Sequence, residues 1–223
     1  MNDAVIFLQE KLSYVFSNPQ LCRQALTHRS YGSHHNERLE FLGDAILDFI
    51  VTEIIYRKHP SATEGELSNM RAHIVRGEQL ARIGDALCIG ELLLLGAGEQ
   101  QAGGRQRVSL IANAVEAIIA AVYLDGGLQV CSEVVQQLFA PILETLTPTV
   151  GKDAKTTLQE YLQSKHLSLP VYELVDRSGS DHNATFTMAC TVSALDKKET
   201  GVASSRKQAE QLAAKKVLAH LGL

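Results

Sequence analysis

Between Ile111 and Leu124 the chain runs through fourteen residues in which Asn113 and Glu116 are the only strongly polar side chains. A segment this apolar satisfies its backbone as a helix and hides most of its circumference in a core. It falls short of the roughly 20 residues that a membrane crossing needs. The run therefore reads as an apolar helix, and that helix carries a carboxylate. Burying an acid without a counter-charge or a metal is costly. Glu116, with Asn113 three residues earlier on the same face, thus demands a partner from elsewhere in the sequence.

Helical spacing of apolar residues continues on both sides of this run. Val5 to Phe16 reads as a helix, Asn18–Pro19 breaks it, and a short helix follows to about His28. Glu37 to Lys58 is long, apolar at Leu39, Leu42, Ile46, Phe49, Ile50 and Ile54, and stopped by His59–Pro60. Glu66 to Cys88 reads as one or two helices with Gly77 as a joint, and the glycine-rich Gly96 to Gly104 as a loop. The central helix, from about Ser109, ends at Asp125-Gly126-Gly127, and Leu128 to Leu146 supplies the last one.

Thr147 to Asp153 then interrupts all periodicity, as a linker does. Beyond it Thr156 to Lys165 reads as an amphipathic helix and Val171 to Val175 as a strand. Arg177 to Asn183 reads as a polar turn, Thr185 to Val192 as a second strand and Thr200 to Ala203 as a third. A helix from Arg206 to about His220, capped by Ser204 or Ser205, closes the pattern. The expected architecture is an all-α domain over residues 1–146, a linker over 147–153, and a small α+β domain of order α-β-β-β-α over 154–223.

The 223-residue chain has a formal net charge of −4, which taken whole argues against a nucleic-acid partner. The division of that charge reverses the inference. Residues 1–150 carry −6 and residues 151–223 carry +2, with cations late in the chain at Lys197, Lys198, Arg206, Lys207, Lys215 and Lys216. An acidic module is joined to a basic one. The four cysteines, Cys22, Cys88, Cys131 and Cys190, show no CxxC spacing and read as reduced thiols of a cytoplasmic protein, not as disulfides or zinc ligands. The N-terminal segment places Asp3 early, with no basic stretch before an apolar one, so neither a signal peptide nor a membrane partner is expected.

On the long helix Glu40 and Asp44 stand four residues apart, which stacks two carboxylates on one face. Like charges so placed repel unless a cation joins them. With Asn113 and Glu116, two oxygen donors from each of two helices would suit Mg²⁺, an ion that prefers hard oxygen ligands and completes its octahedron with water. Structural ion pairs to Arg38, Arg71 or Arg76 would account for the same acids, and spacing alone leaves the choice open.

The run Asn36-Glu37-Arg38-Leu39-Glu40-Phe41-Leu42-Gly43-Asp44 resembles the signature of the ribonuclease III family almost letter for letter. The likeness continues through Glu64-Gly65-Glu66-Leu67-Ser68, Leu92 to Gly104 and Ala112 to Gly127, and is collinear over nearly the whole chain. It implies hydrolysis of double-stranded RNA with Mg²⁺ (or Mn²⁺), leaving 5′-phosphate and 3′-hydroxyl ends with short 3′ overhangs, in the processing of ribosomal, messenger and transfer RNA. By position Glu40, Asp44 and Glu116 take the places of three of the family's four metal-site acids, with Asp44 and Glu116 as catalytic residues. Asn113 takes the fourth place, where Asp is usual. Its amide is neutral, so weaker Mg²⁺ affinity is the expected direction. It stands as a tolerated variant, a weakening substitution or an inactivating one.

The same resemblance gives Phe41 a role as the aromatic that family dimers insert into a partner; an ordinary core phenylalanine is the other reading. Glu37 and Glu64 match acids along the RNA-facing valley, or are solvated surface acids. The Gly96–Gly104 stretch lacks a GK[ST] sequence, so no nucleotide cofactor is expected.

Residues 154–223 resemble the double-stranded RNA-binding domain, which recognises duplex shape through 2′-hydroxyls and phosphates. Thr156, Gln159 and Glu160 on its first helix, His182 in the turn, and Ser205, Arg206 and Lys207 at the start of the last helix match its contact regions. Glu210 stands where a third lysine is common. Cutting both strands with one nuclease domain per chain calls for a homodimer. The competing reading is a catalytically weakened or inactive RNA-binding protein, motivated by Asn113. A helical scaffold with structural acids is a third.

Overall fold

The computed structural model describes residues 2–148, 154–179 and 184–222. They form two units, Met1–Gly151 and Lys152–Leu223.

The first unit is helical. Helix α1 (Asn2–Leu12) ends four residues before the apolar spacing does. The reason lies in Asp125, whose carboxylate accepts from the Tyr14 hydroxyl at 2.6 Å and from the backbone N–H groups of Ser17 and Asn18 at 2.7 and 2.8 Å. These bonds draw the chain out of the helix, and Ser13 turns it at a φ of 51°. Helix α2 (Pro19–Ala25) starts with proline in its first turn, and the Asn18 side chain caps it by accepting from Gln20 N–H.

Helix α3 (Glu37–Lys58) begins and ends where the sequence places it. Its first neighbour, Asn36, is buried and donates its side-chain amide to the Ala25 carbonyl, which ties the start of α3 to the end of α2. Helix α4 (Glu64–Ile74) opens with a reciprocal capping box between Thr63 and Glu66, and α5 (Gly77–Ala86) follows at the expected glycine joint. The glycine-rich stretch is not a plain loop. It holds the short helix α7 (Ala97–Gln101) after α6 (Ile89–Leu92), then a 3-10 turn at Gly104–Gln106.

Helix α8 (Val108–Thr145) is two helical segments broken at Gly127, whose φ of 79° and ψ of 178° are not helical. By length and composition α8 could cross a membrane, but its apolar residues from Ile111 to Val122 are core of this unit, packed among Leu47, Ile50, Ile74 and Leu80.

The second unit places α9 (Ala154–Ser164) and α10 (Arg206–His220) on one side of an antiparallel sheet of order β1 (Val171–Ser178), β2 (Thr185–Val192), β3 (Lys197–Ala203). Strand β1 runs past the expected turn at Arg177. A bulge between Leu174 and Asp176 shifts its register, which conceals the alternation that marks a strand. The core is small: Leu158, Leu162, Cys190, Val192, Ala213, Ala214, Val217 and Leu218. Gly201 sits so close to α10 that a β-carbon would overlap the Ala209 carbonyl. The fold class is the one expected, an all-α domain followed by an α-β-β-β-α domain.

Candidate active site and RNA-binding face

Helices α3 and α8 meet at Gly43, where a β-carbon would overlap the backbone carbonyl of Glu116. This close approach brings the acids of both helices together. On a 3.6-residue turn Glu37, Glu40, Asp44 and Asp48 share one strip of α3. Asn113 and Glu116, both half-buried, share a face of α8. The Asn113 amide is placed to favour the charged form of the Glu40 carboxylate. Glu37, Glu40 and Asn113 open onto a cleft of about 380 Å³ whose walls also include His28, Arg29, Leu93 and Leu110.

Charge in this site is unbalanced. Burial first, then the charges of Asp44, Glu40 and Asp48, push the Glu116 carboxyl up to about 7. Glu40 is also raised by burial; the Asn113 amide holds it down in part, while Glu37 and Asp44 push it up. Elevation by burial together with neighbouring acids marks carboxylates sharing a space without enough positive charge. Among the described residues no ion pair links Glu40, Asp44 or Glu116 to Arg38, Arg71 or Arg76. Arg71 instead donates to the Thr52 hydroxyl at 3.2 Å.

Among the described residues no three His, Cys, Asp or Glu side chains form a ready-made metal cage. The donor set nonetheless fits Mg²⁺. That ion keeps several waters and takes one or two carboxylates together with substrate phosphate. A set of hard oxygens under mutual repulsion is what such a cation would relieve.

The other expected residues separate. Glu37 pairs with Arg29 at 3.3 Å and with His35 at 3.7 Å, at the cleft. Glu64 lies exposed at the start of α4, accepts from the Ser68 hydroxyl at 2.8 Å, and does not line that cleft. Phe41 is 82% exposed, which removes the core reading. With Ala45, Phe49, Thr52 and Tyr56 it forms an exposed strip along α3, immediately beside the acidic one. Asp48 was not anticipated. A lone acid on a helix has no sequence signal, although its place one turn after Asp44 continues the strip.

In the second unit Thr156, Gln159 and Glu160 are exposed together on one face of α9. Ser205 caps α10 by accepting from Gln208 N–H at 3.3 Å, and Arg206 and Lys207 are exposed at that end. Glu210 pairs with Lys155 at 2.5 Å and so ties α10 to α9. His182 lies outside the described residues.

This arrangement has known counterparts. Residues 18–143 match the model of the Ribonuclease-III-like family, and residues 154–221 that of the double-stranded RNA binding motif. The chain is 48% identical over 217 residues to Ribonuclease 3 of Buchnera aphidicola (subspecies Acyrthosiphon pisum), covering 97% of this chain and 96% of that protein. The chain belongs to the ribonuclease III family. A second ribonuclease III relative, from Shewanella sp. strain MR-7, is 50% identical over 208 residues, 93% of this chain and 92% of the other. The nuclease domain of ribonuclease III from Campylobacter jejuni superposes with a TM-score of 0.61 at 36% identity, over 63% of this chain and 97% of that one. Ribonuclease III membership makes the chain an endoribonuclease with a nuclease domain and a domain that binds double-stranded RNA.

Proposed function

We propose that the chain cuts both strands of duplex RNA in a Mg²⁺-dependent reaction, with Glu40, Asp44 and Glu116 as metal ligands and Asn113 as the residue that orients Glu40. Mn²⁺ would fit the same oxygen set. Residues 1–146 form the nuclease domain, 147–153 the linker and 154–223 the RNA-binding domain. The products are 5′-phosphate and 3′-hydroxyl ends with short 3′ overhangs, and the work is processing of ribosomal and other RNAs in the cytoplasm. Among the described residues the four cysteines are free thiols, in keeping with a reducing compartment.

The observation that carries this reading is the convergence of α3 and α8 on one set of mutually repelling oxygens. When bound, Mg²⁺ supplies polarisation of the phosphate and a more acidic water. The chain's own residues do the rest. The approach at Gly43 sets the separation of Asp44 from Glu116, and the Asn113 amide favours the charged Glu40 carboxylate that a cation needs. Thr156, Gln159, Glu160, His182, Ser205, Arg206 and Lys207 hold the duplex by its backbone, and Glu37 and Glu64 border its path.

A staggered double cut needs two such sites, hence a homodimer. The exposed strip of Phe41, Phe49 and Tyr56 beside the acids is the surface on which a second copy fits. A related Campylobacter jejuni nuclease domain is described as having a flexible region involved in dimer formation. Cleavage of a long RNA duplex under Mg²⁺ titration at fixed salt tests the proposal. Duplex cutting by the wild type and none by Glu116→Gln supports it; equal rates overturn it.

A further inference from the structure

Phe186 of β2 lies opposite Arg177 of β1 in the sheet register, and opposite Ala203 of β3 on its other side, two residues before the Ser205 cap of α10. One ring thus stands between the end of β1 and the start of α10. The guanidinium carbon of Arg177 lies 5.7 Å from the ring centre and that of Arg206 lies 5.8 Å from it. Both fall inside the roughly 6 Å at which a ring face attracts a cation. Both arginines are exposed, while Phe186 is half-buried.

Two like charges gathered on one ring raise the local positive potential beyond what either gives alone. Stacking engages the flat face of a guanidinium, whereas phosphate is bound along its edge by in-plane N–H groups. An arginine lying over a ring is therefore preorganised for a phosphate without being used up by the contact. Glu210, the acid within the first turns of α10, is already engaged with Lys155 and does not oppose this corner.

We propose that Arg177 is an RNA-backbone contact, held by Phe186 as the second cation of a pair with Arg206. This rests on the reading that residues 154–221 bind duplex RNA, and deepens it: Phe186 is a positioning residue, and the ligand is the phosphate backbone, not a base edge.

The test is duplex binding by the full-length chain without Mg²⁺, measured from 50 to 300 mM salt on a blunt 30-base-pair RNA. Arg177→Gln weakens binding 3- to 10-fold at moderate salt, equally for unrelated sequences, and lowers the slope of log K against log salt by about 0.7–0.9, the loss of one phosphate contact. Arg206→Gln does the same. Phe186→Leu keeps an apolar side chain and weakens binding in the wild-type background, but not in the Arg177→Gln/Arg206→Gln background, because the ring acts through the two cations. Melting of each variant is followed to confirm folding.

The proposal is overturned if Arg177→Gln leaves affinity and slope unchanged while Arg206→Gln lowers both. It is also overturned if Phe186→Leu costs as much in the double variant as in wild type. Failure of the wild type to prefer duplex over single-stranded RNA would instead remove the underlying RNA-binding reading.

Discussion

The α-carbon of Gly43 packs directly against the backbone carbonyl of Glu116, leaving no room for a side chain between α3 and α8. Gly43→Ala must push the helices apart or strain one of them. Overpacking of this kind costs about 1–3 kcal/mol. Chemical denaturation should show that loss, and RNA cleavage should fall more than stability predicts, because the same shift parts Asp44 from Glu116.

Asn113 favours the ionised form of Glu40 and brings no charge. Asn113→Ala removes a neighbour of Glu40, a proposed metal ligand, and loss of such support typically weakens metal affinity about 10- to 100-fold. Asn113→Asp exchanges a neutral amide for a fourth charge, and the Mg²⁺ concentration giving half-maximal cleavage should drop. A Mg²⁺ titration of both variants beside wild type reads the two effects. A higher Mg²⁺ requirement in Asn113→Asp would contradict the assignment.

Asp48 adds to the repulsion felt by Glu116. Asp48→Asn should lower the affinity of the site for Mg²⁺ while leaving the maximal rate at saturating Mg²⁺ nearly unchanged, since the residue acts by charge. Isothermal titration with Mg²⁺, together with cleavage rates at saturation, separates the two quantities.

The exposed strip on α3 has its own readout. Phe41→Glu places a charge on the surface proposed to receive a second copy, so sedimentation should show the dimer shifting to monomer at micromolar concentration. Tyr56→Glu, at the far end of the strip, should shift it less.

Asp125 makes a pH-dependent clamp. Burial raises its carboxyl, but the bonds from Tyr14, Asn18 and Ser17 outweigh this and hold it below the ordinary Asp value of 3.8. Its contribution is therefore present above that value and is lost as pH falls through the lower folded one. Asp125→Ala removes the carboxylate that accepts from three donors and should cost about 1–3 kcal/mol near neutrality. Acid titration of the unfolding free energy should show a shallower fall for the variant than for wild type.

The parts of the fold legible in the sequence are those with local punctuation. Helix α3 carries its own stop in His59–Pro60, and α10 its own start in Ser205, so both match their expected bounds. Helices α6 and α7 span too few residues to display a period. Strand β1 hides behind its bulge, and α1 ends early because of Asp125, more than a hundred residues away. The candidate site divides likewise. Glu40, Asp44, Asn113 and Glu116 announce themselves by breaking an apolar pattern or by family likeness. Asp48 breaks nothing, and which helix Gly43 touches is a property of tertiary packing that no local pattern encodes.

Asn113 favours a charged Glu40 without adding a charge of its own. A site of carboxylates alone is under tension until a cation arrives, and part of the binding energy of that cation goes into holding the helices together. Here an uncharged amide does some of that holding beforehand. Loss of the ion should then switch chemistry off while leaving the junction of α3 and α8 assembled, so that this enzyme can rest empty without coming apart.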